Sequence, residues 1–159
     1  MSASKEEQRM KLVGWGYHWQ DVEIGVCYRT INRTLTETDL VNFISVTGML
    51  ETIFIDATFE AGALKGRFVP AALTYTLIEG LQCQSFFQGT GLALLEVEKK
   101  VLKPVMVGDT IHGEIEVLSV KPTSKGNRAV VTTMNDIVNQ HGDKVIAYKA
   151  VRMLAGKPQ

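Results

Sequence analysis

The sequence predicts an α+β domain in which an antiparallel sheet wraps a single central helix. Three observations carry that reading: a long apolar helical stripe in mid-chain, four β-patterned runs separated by turn signals after it, and a well-capped shorter helix before it. At 159 residues the chain fits one domain, 1–159, with residues 1–19 as an N-terminal extension. A chain of about 150 residues buries roughly 70% of the surface it exposes when unfolded, so a real core is expected.

The first helix is predicted to begin at Glu37, capped by Thr36 with Asp39 reaching back in a capping-box variant. Leu40, Phe43, Ile44 and Thr47 form its inner stripe, and Gly48 ends it. The central helix is marked by Pro70 at a first helical position and by Leu73, Leu77, Ile78 and Leu81 at helical spacing, up to about Ser85. Ala71, Ala72 and Gly80 leave room for close approach of a sheet or a ligand. The β runs are Gly91–Leu102, Thr110–Val120, Arg128–Val138 and Lys144–Leu154. In the second run Ile111, Ile115 and Val117 share one face and His112, Glu114 and Glu116 the other, the pattern of a half-exposed antiparallel strand. The alternating Trp15, Tyr17 and Trp19 are expected to cover a sheet edge or a dimer seam.

Composition excludes several functions. Hydrophobic residues make up 45% and charged residues 21%, with 17 basic groups against 17 acidic ones. Nucleic-acid binding needs a basic surplus gathered on one face, and here the charges are interspersed. The opening MSASKEEQRMKL is too polar for a secretory signal, and no apolar run approaches the roughly 18 residues of a membrane span, so a cytoplasmic protein is expected. Cys27 and Cys83 are too few for a disulfide framework and lack zinc-ligand spacing, so neither disulfide nor metal is expected. The Asn32-Arg33-Thr34 sequon is read as coincidence without a secretion signal.

The segment Gly48–Glu60, GMLETIFIDATFE, resembles the active-site segment of MaoC-like (R)-specific enoyl-CoA hydratases and dehydratases. That segment reads roughly G-D-x-N-P-x-H-x-D, and its Asp and His form a water-activating pair. In this chain Met49 stands at the Asp position and Phe54 at the His position. Glu51 and Thr52 replace the Asn and Pro, while the trailing acid, Asp56, and an aromatic, Phe59, are retained. Other stretches match in order: Asp21–Gly25 and Thr36–Phe43 resemble the family's opening strand and first helix. Arg67-Phe68-Val69-Pro70-Ala71 resembles its R-I-x-H-G approach to the central helix, Leu102–Thr110 its strand-turn-strand signature, and Asn139–Asp143 its final hairpin. The resemblance covers residues from about 20 to 154. It implies a single hotdog domain, an antiparallel sheet wrapped around the central helix, and the length excludes a double hotdog.

What the resemblance implies for chemistry is divided. Hydrating an enoyl thioester requires a base for water, a proton donor for the α-carbon and donors for the thioester oxyanion. Met49 and Phe54 supply neither of the first two, and a single acid–base group is worth roughly 10²- to 10⁴-fold in rate. The third requirement is met differently: in the family the Gly after the His of the approach donates its N–H to the thioester carbonyl. Ala71 stands there with an N–H, whereas Pro70 at the His position has none. The expected ligand is an acyl-CoA or acyl-carrier thioester in a tunnel lined by Met49, Phe54, Phe59, Val69, Pro70 and Ala71, with no further cofactor. A core helix begun by proline, with no ligand, is the plainer reading of the same residues.

Three carboxylates are candidate substitutes. Glu51 lies within the apolar run Met49–Ile55, which suits acid–base work if it is buried, although Glu is more often a solvent-facing turn residue. Asp56 resembles the family's trailing acid, which more often braces a loop. Glu79 sits mid-helix, where some hotdog thioesterases carry their acid, and a solvated helix face is the plainer alternative. Lys65 and Arg67 are candidates for coenzyme A phosphates, against the commoner role of screened surface charges. His18, His112 and His141 have no matching partner in sequence. Three functions follow: a thioester-binding MaoC-like protein without ordinary hydratase chemistry, a hotdog thioesterase using Glu51, Asp56 or Glu79, or a non-catalytic subunit that pairs with a dyad-bearing paralogue. A homodimer is implied by the resemblance.

Overall fold

The structure is a computed structural model that describes residues 12–60, 62 and 65–158. Its elements are β1 (Cys27–Arg29), β2 (Arg33–Thr34), α1 (Glu37–Thr47), α2 (Thr52–Ile55), α3 (Ala71–Cys83), β3 (Gly91–Val101), β4 (Thr110–Pro122), β5 (Arg128–Asn139) and β6 (Lys144–Ala155). The strands form one antiparallel sheet in the order β1-β4-β5-β6-β3, with β2 also pairing with β4. The sheet wraps α3, as the sequence predicts.

The α1 start follows from its chemistry. Thr36 Oγ1 accepts from the Asp39 amide at 3.2 Å, and the Thr36 amide donates to Asp39 Oδ2 at 2.8 Å, which closes the capping box. Gly48, at φ 73°, ends the helix in a left-handed conformation that a side chain would strain. Leu40 and Ile44 are buried and Phe43 packs beside them. Thr47 does not join the stripe: it is exposed, and its hydroxyl donates to the Phe43 carbonyl one turn back.

On α3, Leu73 and Ile78 are buried, while Leu77 and Leu81 pack at the margin of the core. Close approach is set by Gly113 of β4, where an added Cβ would stand 2.8 Å from Ile78 Cγ2. Two polar residues share the buried face, Thr74 and Gln82. Gln82 Nε2 donates to the Tyr148 hydroxyl at 2.7 Å, which ties α3 to β6.

The four long strands match the predicted runs to within two residues at each end. Residues 21–25, expected to resemble an opening strand, instead leave a 3-10 turn, Trp19–Asp21, and lead through a turn to β1. The aromatic extension packs on the edge strand β1, through Tyr17 on Tyr28, and on the segment that follows α3. Gly16 and Tyr17 donate backbone hydrogen bonds to Gln88 and Phe86, Tyr17 packs on Tyr28 and Phe86, and Trp19 Nε1 donates to the Gly126 carbonyl. At the other sheet margin, β3 is an edge strand with all eleven residues exposed.

Candidate functional site

The approach to α3 brings together the residues of the matching segment. Arg67 organises it. Its guanidinium holds both Glu37 oxygens, Nε to Oε1 at 3.0 Å and to Oε2 at 3.2 Å and Nη2 to Oε1 at 2.7 Å, while Nη1 donates to the Phe54 carbonyl. One side chain thus fastens the start of α1 to α2, with most of its donors engaged. The same contact holds the Glu37 carboxyl below its ordinary range. Met49 and Phe54 are half-buried and pack on the cluster that contains Leu40, Val69, Leu73 and Val105, and Ala71 packs on the same cluster.

Val69 and Pro70 are buried, and the Val69 amide donates to the Val105 carbonyl. No side chain caps α3 at Pro70, and among the described residues the amides of Ala71 and Ala72 meet no acceptor. The result is an uncapped helix N-terminus, with its partial positive charge, that follows directly on buried Val69 and Pro70 and shares its core cluster with Met49 and Phe54. Phe59 is exposed at 42%, and Lys65 pairs with Glu60 at 3.3 Å on the surface.

The three candidate carboxylates have different settings. Glu51 is exposed at the α2 N-cap and makes no capping bond. Asp56 Oδ1 accepts from the Thr58 hydroxyl at 2.6 Å and from its amide at 2.8 Å, and these bonds hold its carboxyl below the usual range, so it braces the loop. Glu79 alone sits in a built polar site. Its Oε1 accepts from Arg152 Nη2 at 2.5 Å and from the Tyr148 hydroxyl at 2.7 Å. Burial, reinforced by the Glu79 charge, pushes the Tyr148 hydroxyl far above its ordinary pKa, so it stays a donor. Glu79, Cys83 and Arg152 line a cleft of ≈ 380 Å³ between α3 and the start of β3.

Sequence reading missed Gln82, Tyr148 and Arg152. One signal existed: Arg152 falls in phase with Tyr148, Ala150 and Leu154 on the inward face of β6, where a charged residue requires a partner.

The histidines lie away from the α3 approach. His112 Nε2 sits 3.1 Å from Glu114 and Nδ1 3.4 Å from Arg29 on the outer sheet face. His141 meets Gln140 at 3.2 Å in the last hairpin, and His18 meets Asp21 at 3.7 Å. Among the described residues, no group of three or more His, Cys, Asp or Glu could hold a metal ion. No helix there is long and apolar enough to cross a membrane.

No protein-family model matches the sequence, and no curated protein matches it. Solved structures do match. An R-hydratase from Pseudomonas aeruginosa, in its unliganded form, is 25% identical with a TM-score of 0.74, over 88% of this chain and 86% of that one. A MaoC-like dehydratase from Rhodospirillum rubrum is 21% identical with a TM-score of 0.78, over 91% of this chain and 100% of that one. A C-terminally truncated (3R)-hydroxyacyl-ACP dehydratase complex, HadBC, from Mycobacterium tuberculosis is 18% identical with a TM-score of 0.63, over 82% and 96%. The chain therefore has the hotdog architecture of MaoC-like dehydratases and (R)-hydratases over most of its length.

Proposed function

We propose that this chain is a protein of the MaoC-like dehydratase and hydratase family that binds an acyl-CoA or related acyl thioester without performing ordinary enoyl hydration. One observation carries the reading: the two positions that resemble the family's acid–base pair, Met49 and Phe54, are apolar and pack on the same core cluster as Val69 and Ala71, where α3 begins without a side-chain cap. A thioester carbonyl directed at the Ala71 amide finds a hydrogen-bond donor and the positive end of a helix. Met49 and Phe54 offer a water molecule no base. The apolar surround formed by Met49, Phe54 and Val69 suits an acyl chain, and Arg67, fastened to Glu37 and Phe54, serves to shape the wall rather than to bind phosphate.

Thermal denaturation with butyryl-, octanoyl- and palmitoyl-CoA tests binding. At a hundredfold excess over Kd a ligand stabilises by about 2.7 kcal/mol, which raises Tm by roughly 5–10 °C in a domain of this size. A rise with acyl-CoA that coenzyme A alone does not give supports the reading. No rise with any acyl chain would count against it.

The partner is proposed to be a second copy, joined through β3. That edge presents unpaired backbone groups along eleven residues and exposes Leu92, Leu94, Leu95, Val97 and Val101, a combination that a lone subunit leaves open to pairing. A heteromer with a dyad-bearing paralogue is the other arrangement this edge would serve, and HadBC, as a complex of dehydratase subunits, gives it a structural parallel. A thioesterase reading is favoured by one observation, the position of Glu79 in a cleft. Loss of thioester hydrolysis in Glu79→Gln, with Tm retained, would support it; unchanged hydrolysis would remove it.

A further inference from the structure

A polar cleft of ≈ 360 Å³ opens between the end of β1, the start of β4 and the last hairpin, where Arg29, Asn32, His112, Asn139 and Gln140 line it. β1 lies at the opposite margin of the sheet from β3, so the cleft is clear of the edge assigned to the subunit seam. No carboxylate is among its lining residues.

The lining holds a cation without a counter-ion. Arg33, Arg67 and Arg152 each hold a carboxylate at 2.7 Å or less, and Arg29 holds none among the described residues. Glu114 is its cross-strand neighbour in register, but His112 engages both, with Nδ1 3.4 Å from Arg29 Nη2 and Nε2 3.1 Å from Glu114. Donation from Nε2 to Glu114 leaves Nδ1 to accept from Arg29, so the imidazole is used on both sides.

The acceptors of the lining are engaged and its donors are not. Asn32 Oδ1 accepts from Arg29 Nη2 at 3.1 Å, and Asn139 Oδ1 accepts from the His141 and Asp143 amides, each at 3.0 Å. An amide nitrogen could not accept these bonds, so both side chains are fixed with the oxygen turned to the protein. Gln140 is used at both ends, accepting from the Thr110 amide and donating to Asp109. Arg29 Nε and Nη1, Asn32 Nδ2 and Asn139 Nδ2 meet no acceptor among the described residues. A surplus of N–H donors around an uncompensated positive charge suits an acceptor-rich anion. A cation would add to the Arg29 charge, and a neutral ligand would leave it without a partner.

We propose that this cleft binds a small phosphate monoester, its phosphate oxygens accepting from Arg29, Asn32 and Asn139. Phosphate offers three oxygens to three side chains, where a carboxylate offers two. The volume falls within the range of small-molecule sites, about 300 to 1,000 Å³, so the organic part of an ester has room that a free phosphate ion would leave to water. The site does not depend on the thioester reading.

The full chain, labelled with heavy nitrogen, is titrated with methyl phosphate, inorganic phosphate and acetate at constant ionic strength, and the Arg29 Nε–H and the Asn32 and Asn139 side-chain amides are followed by NMR. Both phosphates should shift all three signals saturably, with acetate weaker by about tenfold or more, the loss of one charge-assisted hydrogen bond. Arg29→Gln should weaken methyl phosphate by a similar factor. Arg128→Gln should leave binding unchanged, since Arg128 meets the Met153 sulfur at the opposite end of β5 from Asn139. Asn32→Asp keeps the acceptor for Arg29 and supplies the missing negative charge, so it should abolish the shifts with Tm retained. The proposal is overturned by the absence of a saturable shift with methyl phosphate, or by binding of inorganic phosphate alone, which would mark a free-ion site. Acetate binding as tightly as methyl phosphate, equal weakening by Arg29→Gln and Arg128→Gln, or undiminished binding in Asn32→Asp would each overturn it as well.

Discussion

Replacing Glu79 with alanine removes one half of an ion pair whose other half, Arg152, is almost wholly buried. The cost then falls on the charge left behind, about 3–5 kcal/mol for breaking a buried pair from one side. Urea unfolding of Glu79→Ala should show a loss of that order, and a second substitution, Arg152→Met, should recover part of it by removing the stranded charge. Additive losses would mean that the pair contributes nothing as a pair. The residues in this network also show where sequence reading fails. Glu79 was legible as a mid-helix acid, but its partners are 69 and 73 residues away and are brought to it only by the sheet. Met49 and Phe54 differ in kind: their chemistry, or lack of it, is a property of the side chains themselves, so a frame around them suffices to read it.

Periodicity governs what can be read at the scale of elements. α3 is long and repeats its buried residues at helical spacing, and the long strands β4, β5 and β6 alternate buried positions with more accessible ones, so their patterns identify them. β1, β2 and α2 span three, two and four residues, too few for any period to register. The exposure of β3 on both faces depends on which neighbour it lacks, which no local pattern contains. Among the elements α1 gives the sharpest test. Thr36→Ala removes the cap and should lower stability by about 1 kcal/mol in chemical denaturation.

The acids at the α1 start give that helix a pH dependence. Glu37 is held below its ordinary pKa by its hydrogen bonds with Arg67. Asp39 is opposed by burial but ends below its ordinary value through its bonds with Thr36 and Arg33. A carboxyl with a depressed folded-state pKa adds stability above its unfolded value and loses it as pH falls through the folded one. Acid unfolding should therefore steepen below the ordinary carboxylate range, and Arg67→Met should shrink the Glu37 share of that loss. Hydrogen exchange at the Phe54 amide should also rise in Arg67→Met, since α2 loses the hydrogen bond that ties it to Arg67 and through it to α1. Unchanged exchange would show that Arg67 is not the fastener of α2.

For the whole molecule, an eleven-residue edge strand with exposed leucines and valines predicts association. Light scattering at micromolar concentration should give a dimer, and Val97→Asp on that edge should give a monomer with the fold retained by circular dichroism. A dimer unaffected by that change would place the seam elsewhere. The fold itself, a sheet around one helix, was legible because a single apolar helix followed by four alternating runs admits few arrangements.

The central claim is that a hotdog scaffold suited to an acyl thioester has apolar side chains where proton transfer would occur. It is tested most directly by the rate at which the purified chain hydrates crotonyl-CoA, measured beside the Met49→Asp/Phe54→His double variant. The account predicts no turnover above the buffer rate for the natural sequence and measurable turnover once the two groups are installed. Robust turnover by the natural sequence would contradict it.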